Sequence, residues 1–328
     1  MGFALWLARR HDRIELPAPS YAALAFSGDP RTVTGTAPRR RSRRELAEDP
    51  DHTPNTLTID ELPLLWCGDQ VFVKRRVFGP PWEWFGAFLI RVGTFTRRDK
   101  RPTIANHVAT VIAEIRETED ELIPRERLSL YDLARLEQFR DQVPVEDRGP
   151  IVDWVIAEAL GSGGFQFNRL LESYGDERKY WIAIARHKFA RADHRERIRD
   201  ACEHLAGKSY GYLKVGAHGL DYGLTMLWNA AGGRGDVYAF RWLCRMERYP
   251  MCSWASLYEY EEAGLPFDVP TEIGSPDDLW DECRRKALAI WVWPFWSRGL
   301  KSELLGPGFG DEHWHGRPSG SARDVPQT

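Results

Sequence analysis

Three short apolar runs along the chain predict buried strands, and polar or glycine-rich segments separate them. NHVATVIAEI carries His107 near the start of the first run, WVIAEAL at residues 154–160 is the second, and KYWIAIAR is the third. Each run is rich in β-branched and aromatic residues and is shorter than a typical helix. GSGG after the second run lacks the lysine and the spacing of a phosphate-binding loop, so it predicts a turn.

Other segments have the composition of helices. HRERIRDACEHLAG places Ile198, Cys202 and Leu205 on one helical face, and Gly207 follows as a C-terminal cap. PPWEWFGAFLIRVGTFTRR at residues 80–98 predicts a helix entered through prolines. CSWASLYEYEEA follows a proline and precedes a glycine, so it predicts a helix with Cys252 in its first turn. Strands and helices together predict an α+β fold.

Composition predicts one main globular domain with appendages at both ends. The chain has 328 residues, of which 43% are hydrophobic and 28% are charged. We expect a flexible basic arm at residues 1–55 and a domain at residues 56–283. Within this domain, the charged residues 116–150 predict a partly helical surface insertion. Residues 284–328 hold an aromatic segment and a tail rich in glycine and proline.

The net charge and the targeting signals of the chain exclude few classes of partner or cellular location. The net charge of −3 gives no strong indication of a nucleic-acid or anionic membrane partner. The basic run RRRSRR, which begins at Arg39 and ends at Arg44, leaves phosphate binding open beside a solvated segment. No apolar stretch is long enough to cross a membrane, and no signal peptide is recognisable, so we expect a cytoplasmic protein unless lysis, a phage or a secretion system delivers it. The oligomeric state is left open.

Cysteine and histidine positions carry two competing interpretations each. The five cysteines lack the spacing of a zinc site or of a disulfide scaffold, and no metal or cofactor is expected. In the first turn of a helix, the thiolate form of Cys252 is favoured, but a lone cysteine is also typical of a buried core. His107 could be the base of a nucleophilic cysteine or a structural residue. Glu158 could orient that base or face solvent.

The order of these segments resembles the circularly permuted branch of the NlpC-type papain-like hydrolases, which includes YiiX-like proteins and relatives of lecithin retinol acyltransferase. Gly68 and Asp69 match the turn that opens the first strand, NHVATVI matches the histidine motif, and VIAEALGSGGF with WIAIAR matches the next two strands. AGKSYGYL, CSWASLYEYEEAG and SPDDLWDE match later segments in the same order. Asn106 and Trp254 depart from the family's usual Ser and Glu.

The resemblance implies a permuted papain-like fold, with an antiparallel sheet partly closed into a barrel and the nucleophile helix packed on it. It implies Cys252 as nucleophile, His107 as base and Glu158 as the third catalytic residue, with Tyr210 as a substrate-binding neighbour. The implied activity is hydrolysis of an amide bond in a peptide or peptidoglycan-type substrate. Two alternatives stay open: a thiol acyltransferase or lipid-amide hydrolase, and a non-catalytic binding or structural protein, as in a phage or another particle.

Two further motifs have plain explanations beside functional ones. His313 and His315 in HWH could bind a metal, but two histidines without a third ligand are more often incidental. WVWPFW could contact a partner or lipid, but packing against the domain is the simpler interpretation.

Overall fold

The computed structural model describes a central domain with interruptions. The ranges described are residues 64–75, 105–125, 127–176, 179–187, 189–234, 248–272, 274–285 and 289–293, with single positions at 57, 59, 62, 237, 239, 240 and 246. The predicted arm at residues 1–55 with its basic run, the helix predicted at residues 80–98 and the tail with its HWH motif lie outside the described residues. So does the end of WVWPFW.

Six antiparallel strands form a single sheet. They are β1 (Gln70–Arg75), β2 (His107–Arg116), β3 (Ile151–Leu160), β4 (Gly164–Arg169), β5 (Tyr180–Ala185) and β6 (Ala289–Trp293). Their order is β4-β3-β2-β1-β5-β6, so β2 lies near the middle. The three predicted strands are confirmed as β2, β3 and β5. GSGG leads from β3 into β4, with Glu158 directly opposite Gln166.

Helices surround the sheet and confirm the α+β class. They are α1 (Leu130–Gln142), α2 (Leu170–Tyr174), α3 (Ala192–Leu205), α4 (Tyr212–Ala230), α5 (Cys252–Glu262) and α6 (Pro276–Arg285). The helices predicted around Ile198 and after Pro250 are confirmed as α3 and α5. The described pairings give the sheet an open order from β4 to β6, and its closure into a barrel stays a prediction.

Both faces of the sheet are buried. On one face, Val108 and Ile112 of β2 share a core with residues of α3 and α5, such as Ile198 and Leu257. On the other face, Val111 and its neighbours pack with residues of α2 and of the segment before β1. Because alternate side chains of a strand point to opposite faces, burial on both faces explains why the strands read as continuous apolar runs.

The charged insertion contributes to the core. It is partly helical, as predicted, because α1 occupies its centre. However, Leu133 and Leu136 of α1 are buried in the same core as β2 and α5. Arg140 donates to Glu119 at 2.8 Å and also reaches the backbone carbonyl of Glu114 in β2. The prediction of a surface insertion therefore needs correction, since this segment covers one part of the sheet.

The turn that leads into β1 is stabilised by the backbone conformation of Gly68 and by a buried ion pair at Asp69. Gly68 has a φ of +89°, a conformation that favours glycine. Asp69 is buried, and its carboxylate accepts two hydrogen bonds from Arg186, at 2.8 and 2.6 Å. Arg186 directly follows β5, so this ion pair joins the start of β1 to the end of its neighbouring strand.

Among the described helices, none combines the length and the apolar content needed to cross a membrane.

Candidate active site

Cys252 is the first residue of α5. Met251 precedes it in an extended conformation with φ −114° and ψ 162°, which marks the start of the helix. The first backbone N–H groups of a helix have no partner within the helix, and they carry the positive end of its dipole. The sulfur of Cys252 therefore lies where a negative charge is stabilised. Gly264, with a φ of +77°, follows the end of this helix.

The course of α5 across the sheet brings Cys252 to β2. Farther along the helix, Glu259 accepts a hydrogen bond from the Thr110 hydroxyl at 2.5 Å. The hydroxyls of Thr110 and Ser256 are 3.5 Å apart. These contacts fix α5 against the strand that begins with His107.

The structure brings the Cys252 thiol within hydrogen-bonding reach of the His107 ring. Burial by itself lowers the pKa of His107, but negative charge on Cys252 and on Glu158 outweighs burial and raises this pKa to about 10. The His107 ring is therefore expected to be protonated at neutral pH, which places an imidazolium beside the sulfur of Cys252.

Glu158 of β3 lies on the far side of the His107 ring. Its Oε2 atom is 2.6 Å from Nε2 of His107. That contact leaves Nδ1 as the ring nitrogen available to the thiol. Glu158 is only 1% exposed, so the alternative of a solvent-facing side chain does not hold. The structure thus brings Cys252, His107 and Glu158 together, while their catalytic roles stay a prediction.

Two residues that the sequence did not indicate hold the Glu158 carboxylate. Asn168 of β4 donates its side-chain N–H to Oε1 at 2.7 Å, and the Tyr174 hydroxyl donates to Oε2. A buried carboxylate needs such donors, because leaving it unpaired is costly. The alternation of apolar and polar residues in GFQFNR, after the GSGG turn, was the sequence signal that could have predicted this strand and its polar side chains. A hairpin there places Gln166 opposite Glu158 and Asn168 one step diagonally away.

Tyr210 lies near the site but is not among the groups that hold the carboxylate. Its side chain is half-buried and packs edge-on against Tyr212, with ring centroids 5.0 Å apart. Burial, together with negative charge on Cys252, raises the pKa of Tyr210 above its usual range. The N–H of Gly211 donates to the carbonyl of Pro250 at 2.9 Å, which ties this segment to the loop before Cys252.

A second buried acid lies deeper along α5. Burial raises the pKa of Glu259 to about 7, although hydrogen bonds from Thr110 and Cys202 lower it. Burial also raises the pKa of the Cys202 thiol well above its usual range, and the nearby Glu259 adds to this effect. Cys202 is therefore held as a neutral thiol, unlike a nucleophile.

The remaining candidate sites are separate from this centre. A cavity of about 450 Å³ lies beside α5 and is lined by residues that include Trp254, Tyr258 and Phe267, but not by Cys252 or His107. In the described part of the chain, no group of three or more His, Cys, Asp or Glu side chains could hold a metal ion. The four cysteines in this part, Cys67, Cys202, Cys252 and Cys283, are free thiols.

Comparison with known proteins adds no relative: no family model, no curated protein and no solved structure matches this chain.

Proposed function

We propose that this protein is a cysteine hydrolase that cleaves amide bonds through a thioacyl-enzyme. The contact among Cys252, His107 and Glu158 carries the proposal. It joins a nucleophile at a helix start, a histidine base and a buried carboxylate that orients the base, which is the arrangement that nucleophilic acyl transfer requires. The permuted papain-like fold belongs to the same proposal, because the motifs that resemble this family supply these three residues in the family's order.

In the first half of the reaction, the Cys252 thiolate attacks the carbonyl carbon of the substrate and forms a C–S bond. The carbonyl oxygen becomes an oxyanion, and the backbone N–H of Cys252 in the first turn of α5 is its natural donor. The C–N bond then breaks as the imidazolium of His107 gives its proton to the departing amine. A thioester on Cys252 and a neutral imidazole are left.

In the second half, His107 takes a proton from a water molecule as its oxygen attacks the thioester carbon. The C–S bond breaks, the acid is released, and the thiolate and imidazolium are restored. Glu158 holds the ring throughout, with Nε2 directed toward its carboxylate. Asn168 and Tyr174 act through their hydrogen bonds to Glu158, which keep its carboxylate in place.

The substrate class that we propose is a peptide, with the cross-linking peptides of peptidoglycan as the first candidates on the basis of the resemblance. The experiment is incubation of the full chain with muropeptides, with simple peptides and with phospholipid and acyl-thioester substrates. Release of an amine, together with a thioacyl adduct on the Cys252 peptide in quenched reactions, supports the proposal. The Cys252→Ala variant should lose both signals, and Cys202→Ala is the matched control for removal of a buried thiol.

Transfer of the acyl group to an acceptor other than water would identify an acyltransferase with the same site. Turnover that is unchanged in the Cys252→Ala variant would refute the proposed chemistry.

A further inference from the structure

Helix α4 has the reverse of the usual polarity for a surface helix. Its buried side contains Lys214, His218, Asp221 and Thr225, with Ala217 among them. Its exposed side is apolar instead, and the large side chains there are Tyr212, Leu213, Leu220, Leu224, Met226, Leu227 and Trp228. A helix on the surface of a water-soluble domain ordinarily presents its polar side outward.

The polar side of α4 is committed to the protein. The Lys214 ammonium lies 3.5 Å from the ring centroid of Trp254 in α5. Asp221 accepts a hydrogen bond from the backbone N–H of Phe240 at 3.0 Å, and the Thr225 hydroxyl accepts one from Val237 at 2.8 Å. Rotation of the helix to hide its apolar side would break these contacts, so the apolar side stays outward.

The exposed side forms a continuous uncharged surface. At 1.5 Å per residue, the 19 residues of α4 extend roughly 28 Å. No residue of α4 that the structure describes as exposed is charged. Leu220 and Leu227 are 55% and 69% exposed, and a side chain added at Gly219 or Gly223 would meet only open space. An exposed apolar area of this kind is typical of a binding surface.

Amphipathic aromatic residues and cations lie at the two ends of this surface. Tyr212 begins the helix, and Trp228 lies near its end, with Nε1 donating to the carbonyl of Arg234 at 3.3 Å. Arg234 and Arg248 are exposed, and Lys208 is partly exposed. Lys208 precedes the helix. Arg248 also lies near the helix start, because it is two residues before Pro250, whose carbonyl accepts a hydrogen bond from Gly211. Both ends of α4 therefore carry positive charge.

We propose that α4 is a docking surface for a lipid bilayer that contains anionic phospholipids, and that it lies in the plane of the bilayer surface. Leucine side chains would enter the acyl region, while Tyr212 and Trp228 would lie at headgroup depth, where such rings are favoured. The cations at both ends complement the negative charge of the headgroups. The surface starts two residues after Tyr210, so a docked bilayer would lie beside the Cys252 centre. A role for the bilayer in delivering substrate to that centre rests on the proposed function. The docking of α4 on a bilayer does not.

The test is sedimentation of the full chain with vesicles of phosphatidylcholine alone and with vesicles that contain 30% phosphatidylserine. We expect binding to the anionic vesicles, and a decrease of about tenfold or more in the partition coefficient of a Leu220→Glu/Leu227→Glu variant. The matched control is Leu130→Glu/Tyr131→Glu, which replaces two exposed apolar residues at the start of α1. The control should bind as the unaltered protein does.

A second double variant, together with measurements of folding, separates loss of membrane binding from loss of the fold. Leu213→Glu/Met226→Glu changes other exposed positions of α4, and both double variants should keep the circular dichroism spectrum and the unfolding midpoint of the unaltered chain. Several results would overturn the proposal. One is absence of vesicle binding. Another is equal binding by all variants, which would assign the membrane contact to the basic run between Arg39 and Arg44. A third is self-association without vesicles that the α4 variants abolish, which would make α4 an interface between copies of the chain.

Discussion

Replacement of Glu259 by glutamine should change how the stability of the protein depends on pH. Glu259 is 1% exposed, and burial raises its pKa to about 7, compared with about 4.3 for a glutamate in an unfolded chain. Between these values the folded state binds the proton and the unfolded state has lost it. Stability therefore falls as the pH rises through this window, and the loss is complete above about pH 7.

The size of this effect follows from the pKa difference. With each unit equivalent to about 1.4 kcal/mol, ionisation of Glu259 should cost about 3 to 4 kcal/mol of unfolding free energy at pH 8.5. Glutamine keeps a carbonyl oxygen for the Thr110 hydroxyl but carries no charge. The stability of Glu259→Gln relative to the unaltered protein should therefore rise by that amount between pH 4.5 and pH 8.5.

The assay is urea unfolding of both proteins at intervals across this pH range. Subtracting one unfolding free energy from the other cancels the contribution of other buried acids. One of these is Asp153, since burial raises its pKa to about 6. The control is Glu262→Gln, which removes an exposed carboxylate from the same helix and should leave the difference flat. A flat difference for Glu259→Gln as well would show that this carboxyl ionises without cost and would refute the reasoning.

Three further predictions concern the site and its support. Glu158→Gln should lower kcat/KM at least about 100-fold with little change in KM, because the His107 ring loses the charge that orients it; steady-state kinetics would show this, and an unchanged kcat would contradict it. Arg186→Met should cost about 3 to 5 kcal/mol in urea unfolding, since Asp69 is left buried without its partner, and the added Asp69→Asn change should recover part of that loss. On the alkaline side, kcat/KM should fall as the pH rises through about 10, where His107 loses its proton; a limb near pH 6.5 would indicate an unpaired histidine.

The sequence was sufficient to predict the elements that carry the three central residues. β2, β3 and α5 have strong local signals, namely continuous β-branched runs and a helix bounded by Pro250 and Gly264. The position of Cys252 at a helix start follows from these signals alone. Its proximity to His107 does not, because 145 positions separate the two residues and only tertiary packing brings them together.

Features that depend on neighbouring strands were harder to predict. GFQFNR is short, so β4 was not recognised, and with it the role of Asn168 in holding Glu158 was missed. The helix α4 was also missed, because glycines at positions 216, 219 and 223 weaken its helical signal. Residues 116–150 look like a surface segment because nearly half of their side chains are charged, yet the few leucines of α1 decide where the segment packs.

The most direct test of the proposed centre is the rate at which iodoacetamide alkylates Cys252 at pH 6, followed by mass spectrometry of its peptide. A thiol with an ordinary pKa near 8.5 is less than about 1% ionised at this pH. A thiolate paired with the His107 imidazolium should react at least about tenfold faster than glutathione, even though burial slows access. His107→Ala should remove this advantage. Equal rates for Cys252, glutathione and the His107→Ala variant would contradict the existence of an activated cysteine.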